Sequence, residues 1–318
     1  MSDADAPLVG DICRKLDGLP LAIEFAAARV EALGVRGLAA HLDDRLRLVT
    51  SGRRTAVPRH RTLSATLDWS YGLLSEAEQQ VLRRPRSFAG SFTLQAAGIV
   101  AADATQPESE IIEQVAELVT KSLVAADVGD AEPRLRLLEI TRAYALNKLA
   151  ERGEADALGR RHAAYYRDLL EVTPKSSSGD NTASAYAPEI DNIRAALAWA
   201  FGPGGDTSIG LTLAAASAPV WLHMSLLTEC HNWMGKGLDH LDAAGRGTRH
   251  EMVLQTALGV SLMFTEGVVS RARDALARAS ELAEGLQDLD YHLRALASLA
   301  SFSRRLEDFQ GALALAPV

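Results

Sequence analysis

Glu108-Ser109-Glu110-Ile111-Ile112-Glu113-Gln114-Val115-Ala116-Glu117-Leu118-Val119-Thr120 runs into Lys121-Ser122-Leu123-Val124-Ala125-Ala126, and Arg134-Leu135-Arg136-Leu137 follows after a break. The fold turns on this stretch. Ile111, Ile112, Val115, Leu118 and Val119 recur at the 3.6-residue period of a helix with one buried face. Residues 122–126 and 134–137 are short and extended, with a Gly129-Asp130 turn between them, which predicts a two-strand hairpin. Upstream, Leu63, Leu67, Tyr71 and Leu74 line a helical face with Trp69 nearby, and Ser75-Glu76-Ala77-Glu78 is an N-cap with an acidic first turn. Phe88, Phe92 and Leu94 lead into a helix through Ala97 and Val100. Downstream a helix is expected from about Glu139 to Glu151.

Helices, a small two-strand wing and a closing helix suggest a winged-helix domain over residues 58–152. Its start lies within the basic, linker-like stretch Arg53, Arg54, Arg59, His60 and Arg61, which also holds Pro58 and is preceded by Gly52. Residues 1–57 read as a helical-domain remnant. Residues 153–203 read as a helical connector containing the linker-like Pro174-Lys175-Ser176-Ser177-Ser178-Gly179-Asp180. Over 204–318, helices are expected near 206–218, 223–243, 250–265, 269–285, 289–304 and 308–316. Ala257-Leu258-Gly259 and Ala297-Ser298-Leu299 lie about forty residues apart, each followed by a Phe and an Ala-rich helix. This spacing suggests a tetratricopeptide-like helical array. It stops at Leu313-Ala314-Leu315-Ala316-Pro317-Val318 without a capping repeat, so some helical face is expected to stay exposed and self-associate. The fold class is mainly α.

Composition agrees. Of 318 residues, 47% are hydrophobic but only 5% aromatic, so Ala and Leu carry the apolar mass, which favours helix on helix. A net charge of −8 argues against a surface made wholly for nucleic acid. Cys13 and Cys230 form no framework, which together with the absence of a signal-like start or a long apolar span predicts a cytoplasmic protein without membrane segments.

The N-terminal run Gly18-Leu19-Pro20-Leu21-Ala22-Ile23-Glu24 breaks one helix and opens another. It resembles the GLPL element of NB-ARC (STAND) signal-transducing ATPases. The resemblance extends through Leu42-Asp43-Asp44-Arg45-Leu46, Arg59-His60-Arg61-Thr62-Leu63, Leu67-Asp68-Trp69-Ser70-Tyr71, Phe88-Ala89-Gly90-Ser91-Phe92 and Lys121-Ser122-Leu123-Val124. The chain thus looks like the C-terminal part of bacterial STAND-type regulators of the SARP and LuxR kind. In such proteins a nucleotide-binding domain precedes a winged helix and a helical-repeat sensor. The resemblance implies that Gly18, Leu19 and Pro20 are a vestigial adenine-contact element.

Two departures alter that implication. No G-x-x-x-x-G-K-[ST] phosphate loop occurs, and only seventeen residues precede Gly18. Where the family often places Met-His-Asp with a nucleotide-reading His, this chain has Leu137-Leu138-Glu139. The expectation is therefore no enzyme activity, no catalytic or metal site, and no ATP or ADP unless a nucleotide-binding domain is supplied. His223, Cys230 and His231 are close in sequence, but no carboxylate completes a chelating set. The helix over 108–121 carries Glu108, Glu110, Glu113 and Glu117 against Lys121, a field that repels phosphates. The sequence reads best as a non-catalytic regulatory and protein-interaction fragment whose partner is a protein or its own missing nucleotide domain. The alternatives are a stand-alone winged-helix DNA-binding regulator and an ATP-dependent regulator whose P-loop domain comes in trans.

Overall fold

The structure is a computed structural model. It describes residues 6–15, 71–127, 133–138, 153–172, 186–266 and 269–308, with single positions between 23 and 39, between 141 and 149, and at 310 and 313. The chain divides into two compact units, Met1–Leu158 and Gly159–Val318.

In the first unit, α1 (Ala6–Lys15) contributes Ile12 to a small cluster with Ala26 and Leu38, flanked by Ile23, Val30, Val35 and Ala39. The larger core begins at α2 (Glu76–Arg83). Its start is the capping box expected of Ser75 and Glu78: the Ser75 hydroxyl accepts the Glu78 amide at 3.2 Å, and the Glu78 carboxylate accepts the Ser75 amide at 2.9 Å. After a 3-10 turn over Arg84–Ser87 come β1 (Phe92–Thr93), α3 (Leu94–Ala101) and α4 (Glu108–Thr120). The expected hairpin is present: β3 (Arg134–Leu137) matches the expected span, while β2 (Val124–Asp127) starts two residues later than expected, Ser122 being taken up in the turn that ends α4. Described positions from 141 to 149 are helical, as expected of the closing helix.

The sheet has three strands, not two. The order is β1-β3-β2, all antiparallel, with Phe92 opposite Leu135 and Val124 opposite Leu137. A two-residue strand leaves no alternation to read. Thr93 ends it and immediately N-caps α3, its hydroxyl accepting the Ala96 amide at 3.1 Å. The core between helices and sheet is Val81, Leu82, Phe88, Phe92, Val100, Ile111, Val115, Leu118, Leu135 and Leu137, with the Phe88 and Phe92 rings stacked at 4.5 Å.

The second unit is wholly helical among the described residues. After α5 (Ala155–Val172), which starts in the first unit, come a 3-10 turn (Ala187–Glu189) and α6 (Ile190–Ala200). Then follow α7 (Thr207–His223), α8 (Leu227–Asp239), α9 (Arg249–Thr265), α10 (Ser270–Gly285) and α11 (Leu289–Arg305). From α6 on, each helix packs on the next, and α7 with α9, and α9 with α11, also touch. The α9–α10 crossing is close because Gly259 lacks a side chain. A Cβ there would lie 2.6 Å from Cγ of Leu276.

The largest boundary differences from the sequence expectation lie at α7 and α8, the second of which ends at Asp239 and not at 243. Helix α7 does not stop at Ala218 but passes through Pro219 to His223. Pro219 forfeits one amide donor, yet continuing the helix buries Val220 and Trp221, whose indole donates to the Ser217 hydroxyl at 2.9 Å. A turn at Ser225 (φ 57°) then delays α8 to Leu227. The amides of Ser225 and Leu226 donate to the carbonyls of Leu222 and Trp221 at 3.1 and 2.9 Å. This double closure is a Schellman turn, normally marked by glycine. Ser122, Gln287 and Glu307 repeat it after α4, α10 and α11, all with positive φ.

Candidate functional site

The element that could meet another molecule is the helix–turn–helix of α3, residues 102–107 and α4. The turn is fixed by Asp103. One carboxylate oxygen accepts the amides of Thr105 (2.8 Å) and Gln106 (3.0 Å) and the Thr105 hydroxyl (2.6 Å). The other accepts Arg84, whose guanidinium also donates to the Ala101 carbonyl. Arg84 is buried, as is Arg83, which donates to the Tyr71 hydroxyl at 2.5 Å and to Glu154 at 3.3 Å. Burial works to raise the pKa of Asp103, but the hydrogen bonds from Thr105 and Arg84 outweigh it and hold the carboxyl well below the usual range. Gly98 completes the geometry, since a Cβ there would come within 2.7 Å of Cγ of Glu108.

This scaffold presents α4 with Ile111, Val115 and Leu118 inward and Glu108, Ser109, Glu110, Glu113, Ala116, Glu117 and Thr120 outward. Thirteen residues make a rod about 20 Å long. Lys121, at its end, forms an ion pair with Glu78 of α2. The hydrogen bond from Lys121 is the main reason the Glu78 carboxyl is held below its ordinary pKa. Other cations of the domain are likewise engaged by its own polar groups. Arg134 donates to the hydroxyl and carbonyl of Ser91 at 2.8 and 3.0 Å, and Arg142 donates to the Ala89 carbonyl. Arg136 on β3 is exposed. The outward field of α4 is negative, as the sequence predicts.

Several sequence candidates are not brought together. Gly18, Leu19 and Pro20, the basic cluster Arg53 to Arg61, and the Gly129-Asp130 turn lie outside the described residues. Leu137 is buried in β3. Cys230 is buried, its Sγ 3.8 Å from the Ala257 carbonyl oxygen, and burial pushes the thiol up to about 12. His223 Nδ1 lies 2.7 Å from the Pro219 carbonyl, and His231 Nδ1 lies 3.3 Å from the Thr265 hydroxyl. Among the described residues no group of three or more His, Cys, Asp or Glu could hold a metal, and no helix is long and apolar enough to cross a membrane. Sequence reasoning missed the Arg83, Arg84, Asp103 and Glu154 network. Arg83-Arg84-Pro85-Arg86 looks like solvated surface, and only the burial of two adjacent arginines reveals its role.

The element order helix, strand, helix, helix, strand, strand, with the first strand joining the hairpin, is that of a winged helix. Residues 74–150 match the family described as "Winged helix-turn-helix domain". This segment is a winged helix-turn-helix domain. Over 295 residues the chain is 39% identical to "Putative HTH-type transcriptional regulator Rv0890c" of Mycobacterium tuberculosis (strain ATCC 25618 / H37Rv), covering 89% of this chain and 33% of that protein. A protein of Mycobacterium bovis (strain ATCC BAA-935 / AF2122/97), "Putative HTH-type transcriptional regulator Mb0914c", matches to the same extent. "Uncharacterized protein Rv0894" of M. tuberculosis is 42% identical over 175 residues, 55% of this chain and 44% of its own length. The chain thus spans about a third of the length of the regulators it resembles. No solved structure matches significantly.

Proposed function

We propose that this chain is a non-catalytic regulatory and protein-interaction part of a signal-transducing transcriptional regulator of the STAND ATPase type, with its winged helix turned to protein and not to DNA. The observation that carries this reading is the acidic outer face of α4, with Lys121 neutralised by Glu78. A reading helix needs Arg, Asn or Gln for base edges and Lys or Arg for phosphates. Four outward glutamates disfavour a phosphate backbone and suit a basic protein surface. The relatives named as transcriptional regulators support the regulatory half of the proposal. The GLPL-like Gly18-Leu19-Pro20 supports the STAND lineage, and the stacked helices of the second unit support a tetratricopeptide-like sensor.

In this reading the chain binds no ATP by itself, because no phosphate loop is present to hold the charge of a nucleotide. The partner is a nucleotide-binding domain or another protein, which the winged helix contacts when the regulator switches. A salt-titrated gel shift tests the proposal. Absence of salt-sensitive retardation is expected, and retardation that weakens steeply with salt would replace it with a stand-alone DNA-binding regulator. Calorimetry with ATP should show no heat of binding. A micromolar dissociation constant would refute the nucleotide-independent reading.

A further inference from the structure

Arg84 sits where three pieces of the first unit meet. Its guanidinium donates through Nη1 to the carbonyl of Ala101, the last residue of α3, and through Nη2 to Asp103, which fixes the turn before α4. Its third edge, Nε, faces Glu154. That residue opens α5, its carbonyl accepting the Leu158 amide at 3.1 Å. Nε of Arg84 and Oε2 of Glu154 are both buried, 3.8 Å apart, and without a hydrogen-bond partner among the described residues. The gap is too long for a hydrogen bond, and an approach of about 1 Å would close it. The other Glu154 oxygen accepts Nη2 of Arg83 at 3.3 Å. Two buried arginines thus share two carboxylates.

The backbone makes this contact adjustable. Gly153 precedes Glu154 with a φ of 69°, a left-handed bend that sets the direction in which α5 leaves. A Cβ at Gly153 would meet nothing within 4 Å, so this glycine supplies backbone conformation alone. Helix α5 then continues unbroken past Leu158, where the first unit ends. A guanidinium is a rigid planar fork, so a pull on its Nε edge reorients the two donors opposite. Buried bonds left unmade are costly, which ties Arg84 to the position of the Glu154 carboxylate. Movement at the root of α5 therefore reaches the turn that holds α4.

We propose that Arg84 couples the root of α5 to the helix–turn–helix turn, so that displacement at Glu154 loosens or tightens the seating of α4. The inference does not depend on what α4 meets. Hydrogen exchange of the whole chain, read by mass spectrometry over residues 94–120, tests it. Gly153→Ala strains the root without touching Arg84. It should raise exchange at 102–120 about fivefold, but less than about twofold when Glu154→Gln is already present. Gly153→Val, which resists a left-handed conformation more strongly, repeats the test at larger strain. Asp103→Asn and Glu154→Gln together should exceed the product of their separate effects by about threefold or more, because only the double variant strips Arg84 of both carboxylates. In an Arg84→Met chain the two effects should multiply to within about twofold. If Glu154→Gln does not fold, Glu154→Asp, which keeps the charge and shortens the reach, takes its place. No response to either Gly153 variant overturns the proposal, as does an equal response with and without Glu154. An excess in the double variant that survives Arg84→Met overturns it as well.

Discussion

Replacing Asp103 by Ala removes one side chain that holds both the helix–turn–helix turn and Arg84. The carboxylate accepts two backbone amides, one hydroxyl and one guanidinium. Arg84 is only 4% exposed, so without Asp103 it keeps the Ala101 carbonyl but loses its main counter-charge. Removing one partner of a buried pair costs about 3–5 kcal/mol. Asp103 is itself a quarter exposed, and water softens that figure. We expect a loss of about 3 kcal/mol, which in a fast opening regime raises amide exchange in α3 and α4 roughly a hundredfold. Hydrogen exchange read by mass spectrometry over residues 94–120 isolates this unit from the helical one. Adding Arg84→Met to Asp103→Ala should restore much of the protection, because the stranded charge is then gone. An Asp103→Ala loss below about 1 kcal/mol, or no rescue by Arg84→Met, would refute the reasoning. The pH dependence has a definite sign. The folded carboxyl ionises below its unfolded value, so its contribution is complete above about pH 4 and is lost as pH falls further. Asp103→Ala should flatten that acid limb.

Other expectations follow from the same structure. Gly259→Ala gains up to about 1 kcal/mol of helix propensity but forces a methyl against Leu276, so a net loss of about 1–2 kcal/mol should appear in the melting temperature. Ser225→Gly and Gln287→Gly each relieve a left-handed residue at a helix end and should stabilise by about 1 kcal/mol in urea unfolding. His162 is buried against Tyr166, with ring centroids 4.9 Å apart, and burial pushes its pKa down to about 3. The unfolded chain therefore takes up a proton that the folded chain refuses. Stability should fall below about pH 6.5, by about 1.4 kcal/mol per pH unit for this group alone, until the folded value is reached. His162→Phe should remove that slope in acid unfolding curves.

Much of this fold could be read from periodicity. The stripe of α4, the Ser75 capping box and the 134–137 strand are local signals, each decided within one or two turns of chain. What stayed hidden is long-range or depends on unusual residues. Strand β1 exists because β3 offers it an edge, and two residues cannot announce that. The Schellman turns at Ser122, Ser225, Gln287 and Glu307 lack the glycine that marks such ends, so the α7–α8 boundary shifted. Pro219 carries a local cost, while its compensation, the burial of Trp221, is tertiary, so α7 runs past the expected end at 218. At the candidate site the negative charge of α4 was legible residue by residue. The Glu78–Lys121 pair, which joins positions forty-three apart, was not. Nor was the inward turn of Arg84, for a charged pair beside a proline gives no sign of burial.

The winged helix as a protein-facing module is tested most directly by fluorescence anisotropy of a labelled random-sequence duplex titrated with this chain at about 50 mM and 200 mM salt. The account predicts no saturable rise for the native chain up to about 10 μM, and a new, salt-sensitive binding in the Glu113→Lys/Glu117→Lys chain, where the face of α4 changes sign. Tight binding by the native chain, weakening about tenfold or more between the two salt concentrations and lost on Arg136→Ala, would contradict it.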